Sequence, residues 1–220
     1  MRYFSTRGDG PATLDDALRQ GLAADGGLYL PEQLPKFHID DFADADSIGA
    51  IATVLLEPYF EGSELAGDLD AIVTETYGFE IPLTPLPGTG GAELLELYHG
   101  PTAAFKDVGA GFLAACLGRL EGDPEHPLTI LVATSGDTGG AVAAAFDARP
   151  GMRVVVLFPD GRVSERQAHQ LTCWSDNVLS LRVAGAFDDC QALVKAALAD
   201  PELSTLHRFS SANSINIGRL

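Results

Sequence analysis

The sequence predicts an α/β fold, a parallel-rich sheet with helices on both faces. Three observations predict it. From about residue 128 onward, short apolar runs at 128–133, 153–158 and 178–183 alternate with helical patterns at 138–146, 163–171 and 187–198. The runs are largely continuous in apolar character, as strands buried on both faces are, and do not show the in-out alternation of a half-solvated sheet. Turn residues, Gly, Pro, Asp and Ser, separate each run from the helix behind it, which is the pattern of successive βαβ units.

The elements follow in order. Residues 1–85 read as a first region and 86–220 as the first part of an α/β ligand-binding domain. Residues 1–6 suit a short strand. Thr13, followed by Asp15 and Asp16, opens a helix that stops near Gly21, and Asp25-Gly26-Gly27 turns the chain into residues 28–31. Helical patterns cover 47–59 and 63–77. Residues 81–91, rich in Pro and Gly, read as a linker. Residues 94–98 read as a strand, broken by Gly100-Pro101, with Thr102 placed to cap a helix over 103–117. A short strand at Arg208-Phe209 precedes a loop dense in small polar groups, residues 210–216.

Composition narrows the function. The chain has 220 residues, 46% of them hydrophobic and 20% charged, which is globular rather than disordered. Fourteen basic against 31 acidic residues give a net charge of −17, which argues against nucleic acid or an anionic membrane as partner. No stretch of eighteen apolar residues and no apolar leader occurs, so a cytoplasmic location is expected. Cys116, Cys173 and Cys190 are unclustered, which suits small buried residues in a reducing compartment. The five histidines lack paired ligand spacing, so no metal site is expected.

Only three lysines exist, Lys36, Lys106 and Lys195. Lys36 falls in a loop and Lys195 on an ordinary amphipathic helix, whereas Lys106 starts a helix apolar nearly all round. Burial disfavours an ammonium, and a neutral amine is a nucleophile towards carbonyls and the partner of pyridoxal phosphate in a Schiff base. The alternative is a lysine that snorkels to the surface and pairs with a carboxylate. Both readings stand at this point.

A second candidate site is Thr134-Ser135-Gly136-Asp137-Thr138-Gly139-Gly140, between a strand and an Ala-rich helix. Small residues let a ligand approach the backbone, and the helix N-terminus favours an anion. Asp137 would repel a phosphate, so a carboxylate or a polar ring substituent fits better; alternatively Asp137 simply caps the helix. Arg162 and Arg166 flank a turn and a capping box formed by Ser164 and Gln167, and either arginine could assist an anionic substrate. Asn213 and Asn216 could line a site or serve as turn residues.

Taken together, His99-Gly100-Pro101-Thr102-Ala103-Ala104-Phe105-Lys106-Asp107, the Thr134–140 loop, Gly161-Arg162-Val163-Ser164-Glu165-Arg166-Gln167, Asn213-Ser214-Ile215-Asn216, and the early stretches Tyr3–8 and Gly21–28 resemble the threonine synthase family. The resemblance implies a pyridoxal-phosphate enzyme of fold type II, similar to the tryptophan synthase β subunit. It implies that Lys106 holds pyridoxal 5′-phosphate, with Phe105 and Asp107 flanking it. Ser135, Gly136, Asp137, Thr138 and Gly139 would contact the cofactor ring, and Thr134, Ser135, Thr138, Arg162 and Asn213 the substrate. The implied reaction converts O-phospho-L-homoserine and water to L-threonine and phosphate. The family's chains are about twice this length, so the resemblance implies an N-terminal portion, with a new helix beginning at Arg219-Leu220 and a core surface open to self-association. A serine or threonine dehydratase, a sulfhydrylase-like enzyme, or a non-catalytic relative are the alternatives.

Overall fold

The computed structural model describes residues 1–121 and 123–219. The chain opens on a two-stranded antiparallel sheet, β1 (Tyr3–Ser5) against β2 (Tyr29–Pro31). Between them runs α1 (Leu14–Gln20), capped as its sequence predicts: the Thr13 hydroxyl accepts from the Asp16 amide at 3.1 Å, and Gly21 ends the helix at φ 69°. Helix α2 (Ile48–Phe60) is capped by Ser47. Helix α3 (Leu69–Thr76) is shorter than the predicted 63–77. Asp15 accounts for the difference: it accepts from the Ser63 hydroxyl and the Glu64 amide, pinning that segment to α1, and a 3-10 turn (Ala66–Asp68) leads into α3.

The segment expected to be a linker contains β3 (Leu83–Pro85), and the strand expected at 94–98 is β4 (Glu93–Leu95). The two form an antiparallel hairpin apart from the parallel sheet, with Thr84 opposite Leu94. Its leucines are exposed, so the apolar run there marks a hairpin and not a buried strand.

The parallel sheet has four strands: β5 (Leu128–Ala133), β6 (Met152–Pro159), β7 (Val178–Val183) and β8 (Arg208–Ser211), in the order β7-β6-β5-β8. Side chains alternate across it. Ile130, Val132, Val154, Val156 and Phe158 point into the larger core, beneath α4 (Lys106–Leu120), α5 (Asp137–Phe146) and α6 (Glu165–Thr172). Leu131, Ala133 and Leu157 point to the other face, where α7 (Phe187–Ala199) supplies Cys190 and Val194. Helices therefore lie on both faces. Central β5 is buried throughout, whereas edge strand β7 exposes Leu179 and Leu181. A short helix, α8 (Pro201–Leu206), follows a cap at Asp200, whose side chain accepts from the Glu202 and Leu203 amides.

The larger core joins both halves of the chain: Tyr3, Leu18, Ile72 and Phe60 share it with Leu113, Val132 and Phe146. Cys116 and Cys190 are buried as expected, and Cys173, at the exposed end of α6, is not. Residues Ile217–Arg219 form a 3-10 turn; the helix expected to begin at Arg219-Leu220 includes Leu220, which lies outside the described residues.

Candidate active site

Lys106 is the first residue of α4, three positions later than the predicted start. Thr102 does not cap this helix, and Phe105, the residue at the cap position, offers no side-chain bond. The relation is reversed. Asp107 is buried and turns its carboxylate back: it accepts from the Thr102 amide at 3.0 Å, the Thr102 hydroxyl and the Ala104 amide at 3.5 Å. That clamp holds Ala103 at φ 55°, and the tight return aims Lys106 and Phe105 outward. A carboxylate at the first turn also suits the positive end of the helix.

The Lys106 amine, on a side chain 24% exposed, sits 3.5 Å from the Asp137 carboxylate and 4.3 Å from the centre of the exposed Phe105 ring. The two readings of this lysine therefore meet. It has its carboxylate partner, and that partner belongs to the second candidate loop, 31 residues along the chain. With the Asp137 side chain half exposed, the pair is worth on the order of 0.2–1 kcal/mol, so it orients more than it stabilises.

The loop after β5 is built around Thr134. This buried hydroxyl accepts from the amides of Gly136 and Gly139, each at 2.9 Å, and donates to the Gly136 carbonyl. Gly136 takes φ 148°, and a Cβ there would lie 2.3 Å from the Gln167 amide nitrogen. A Cβ on Gly139 would strike Thr134 and Leu171. The loop thus tolerates no side chain at either glycine. Asp137 does not cap α5, whose cap residue is Gly136 without a side-chain bond. Instead it accepts from the Gln167 amide at 3.0 Å on one oxygen and faces Lys106 with the other. The Gln167 bond, and after it Lys106, holds the Asp137 carboxyl below its usual value. Ser135 is exposed and Thr138 half-buried, and neither hydroxyl is hydrogen-bonded among the described residues. They stand at the carboxyl end of β5, where open α/β sheets place their ligands.

The remaining candidates divide. Asn213 lies at this loop's base: its side chain accepts from the Ala133 amide at 3.2 Å and donates to the Ala133 carbonyl at 3.0 Å. It continues the ladder where β8 stops at Ser211, and so fixes the strand end that carries the loop. Thr134, expected to touch substrate, is taken up by the loop itself. Arg162 stands exposed on the β6–α6 turn, with no bond to Lys106 or Asp137 among the described residues. Gln167, read from sequence only as a helix cap, is the addition. Its Oε1 caps α6 through Ser164, and its amide nitrogen reaches Asp137. The capping-box spacing was the signal for the first bond; nothing in the spacing points to the second.

The arrangement is a lysine amine facing a small-residue loop with unengaged hydroxyls, at the open end of a parallel sheet. An amine of this kind can condense with a carbonyl, and a loop of this kind leaves room for a small polar ligand. Residues 75–218 match the family model described as pyridoxal-phosphate dependent enzyme, and the chain belongs to that family, with the fold type II architecture. Within it, the chain is a relative of the threonine synthases. Residues 2–77 match the model for the threonine synthase N terminus. The threonine synthases of Pseudomonas aeruginosa and Escherichia coli are 39% and 42% identical over 100% and 93% of this chain. Among solved structures, pyridoxal-phosphate-bound threonine synthase from Brucella melitensis superposes with a TM-score of 0.86 at 41% identity over the whole chain, and the Escherichia coli enzyme with 0.87 at 37%. The chain spans about half the length of these relatives, 48% and 47% of the two sequences and 49% and 51% of the two structures.

Proposed function

We propose that this chain carries the lysine-bearing half of a threonine synthase site, and that Lys106 holds pyridoxal 5′-phosphate through a Schiff base. The observation that carries the reading is the meeting of Lys106 and the β5–α5 loop, two motifs far apart in sequence, at 3.5 Å. The residues present suit the group. Of three lysines, Lys106 alone is partly withdrawn from solvent, and Phe105 offers an exposed aromatic face beside it. When bound, the cofactor supplies an electron sink for charge developing on the substrate.

The chain's own residues account for the rest. O-phospho-L-homoserine and water would become L-threonine and phosphate. The Lys106 amine is the group placed to take a proton from the substrate Cα and to return protons at neighbouring carbons. Asp137, 3.5 Å away, would orient that amine whenever it is free of the cofactor. The hydroxyls of Ser135 and Thr138, with the amides at the start of α5, suit the substrate's monoanionic carboxylate, whereas Asp137 disfavours a dianionic phosphate at the same spot. Asn213 and Thr134 keep the loop in register beneath them. The reading takes a small molecule as the partner and not nucleic acid, in keeping with a charge of −17, and places the chain in the cytoplasm. No helix among the described residues is long and apolar enough to cross a membrane.

The test is an absorbance scan with pyridoxal phosphate, then borohydride reduction and peptide mapping. A band near ~410–430 nm with the reduced label on Lys106 is the expected result for a lysine–cofactor Schiff base. The Lys106→Ala variant should show neither. Label fixed on Lys36 or Lys195 in the unaltered chain would overturn the assignment.

A further inference from the structure

Beyond the lysine and its loop, we infer that Gln167 is a positioning residue for Lys106, acting through Asp137. The inference concerns the same site as the proposed function, and its geometry does not depend on which reaction occurs there.

Three observations carry it. First, Asp137 is divided between two partners: one carboxylate oxygen accepts from the Gln167 amide at 3.0 Å and the other faces the Lys106 amine at 3.5 Å. A carboxylate on an exposed helix start would otherwise rotate freely about its side-chain torsions, and the amide removes that freedom. Second, Gln167 is itself fixed at its other end. Its Oε1 accepts from the Ser164 amide at 3.1 Å and the Ser164 hydroxyl at 3.0 Å, so the amide group has one orientation in which all these bonds form. Third, the backbone makes room for it. Gly136 lies flat against the Gln167 amide, and any Cβ there would fill the space that amide occupies. The order of action is therefore helix cap, amide, carboxylate, amine, running from the start of α6 to the start of α4. Asp137 is also kept ionised by the same amide, which preserves the charge that faces the lysine.

An effect on the amine can be read without any cofactor. The chain has only three lysines, and Lys36 and Lys195 are both exposed, so they serve as internal references. The experiment is competitive labelling of the 220-residue chain at pH 7 with a trace amount of isotopic acetic anhydride, with the Lys106:Lys36 ratio read by peptide mass spectrometry. Gln167→Ala should raise that ratio about two- to fivefold, the size expected from releasing a half-exposed ion pair. Asp137→Asn should raise it at least as much. In the Asp137→Asn background, Gln167→Ala should then add nothing, because the residue through which it acts has gone. Ser164→Ala removes one of the two bonds that fix the Gln167 Oε1 and keeps the Ser164 amide, Gln167 and Asp137, so its ratio should rise less than that of Gln167→Ala.

An unchanged ratio in Gln167→Ala overturns the inference. So does an equal rise from Gln167→Ala with and without Asp137, which would mean that the substitution merely loosens the loop. Circular dichroism at the labelling temperature confirms that each variant is folded. The outcome is distinct from that of the proposed function: the chain could fail to take up pyridoxal phosphate and still show the coupling, or take it up on Lys106 and show none.

Discussion

Asp107 adjoins Lys106, yet its carboxylate points the other way. Three donors converge on it, the Thr102 amide and hydroxyl and the Ala104 amide, all in the segment that reverses the chain before α4. Asp107→Ala should therefore act on stability first, costing about 1–3 kcal/mol in urea unfolding, because it leaves buried donors without an acceptor. Asp107→Asn, which keeps one acceptor oxygen, should fall between the two. Gly100 belongs to the same clamp: a Cβ there would lie 2.5 Å from the Asp107 carboxylate, so Gly100→Ala should be destabilising as well. The sequence could not separate this role from a direct one. An acidic residue after a candidate lysine reads equally as a site residue or a first-turn charge, and only the fold shows which way the carboxylate turns.

At the scale of elements, α3, α4 and the turn after α5 are tied by one cluster. Glu75 accepts from Arg119 at 2.9 Å and also from Arg149. Partial burial pushes the Glu75 carboxyl up, and the two guanidinium bonds outweigh it, leaving the group below its usual value. A carboxyl depressed in the folded state adds stability that is present above the unfolded-state value, about 4.3, and is lost as pH falls through the lower folded-state one. Urea midpoints should thus drop between pH 6 and pH 3, and Glu75→Gln should show a shallower drop over that window. Equal slopes in both proteins would remove the cluster from the explanation. The alternation that makes the α/β class readable begins just after α4, at β5. Runs such as Leu128–Ala133 are apolar because both faces of β5 are covered, and periodicity records burial directly. The hairpin was illegible for the complementary reason. Residues 94–98 carry a buried strand's composition, but Leu94 and Leu95 pair only with Thr84 and Leu83 and stay exposed. Gln167 lies between these cases: its local cap was encoded in spacing, and its reach to Asp137 depends on α5 and α6 being neighbours in space.

Among the described residues, one face of the parallel sheet is only half covered. The larger core is closed by α4, α5 and α6, whereas on the opposite face α7 meets only part of β5 and β6. Beyond it Leu179 and Leu181 on β7 are 55% and 40% exposed, and Leu193 on α7 is 50% exposed. Exposed leucines on one side of a sheet favour association. Burying three half-exposed leucines from each of two copies is worth on the order of 5–9 kcal/mol before the cost of association, at 1.5–3 kcal/mol for each fully buried side chain. After a loss of at least about 4 kcal/mol in overall motion, only a weak dimer remains. Two chains of charge −17 repel each other across it, so ionic strength decides the outcome. Sedimentation should show a monomer near 0.01 M salt, where the Debye length is about 30 Å, and a growing dimer fraction towards 1 M, where it is about 3 Å. Leu179→Glu combined with Leu181→Glu should hold the chain monomeric at both. Surface charge alone would respond to salt in the double variant too, so persistence of the dimer there would move the contact to another face, and its loss would assign the contact to this one.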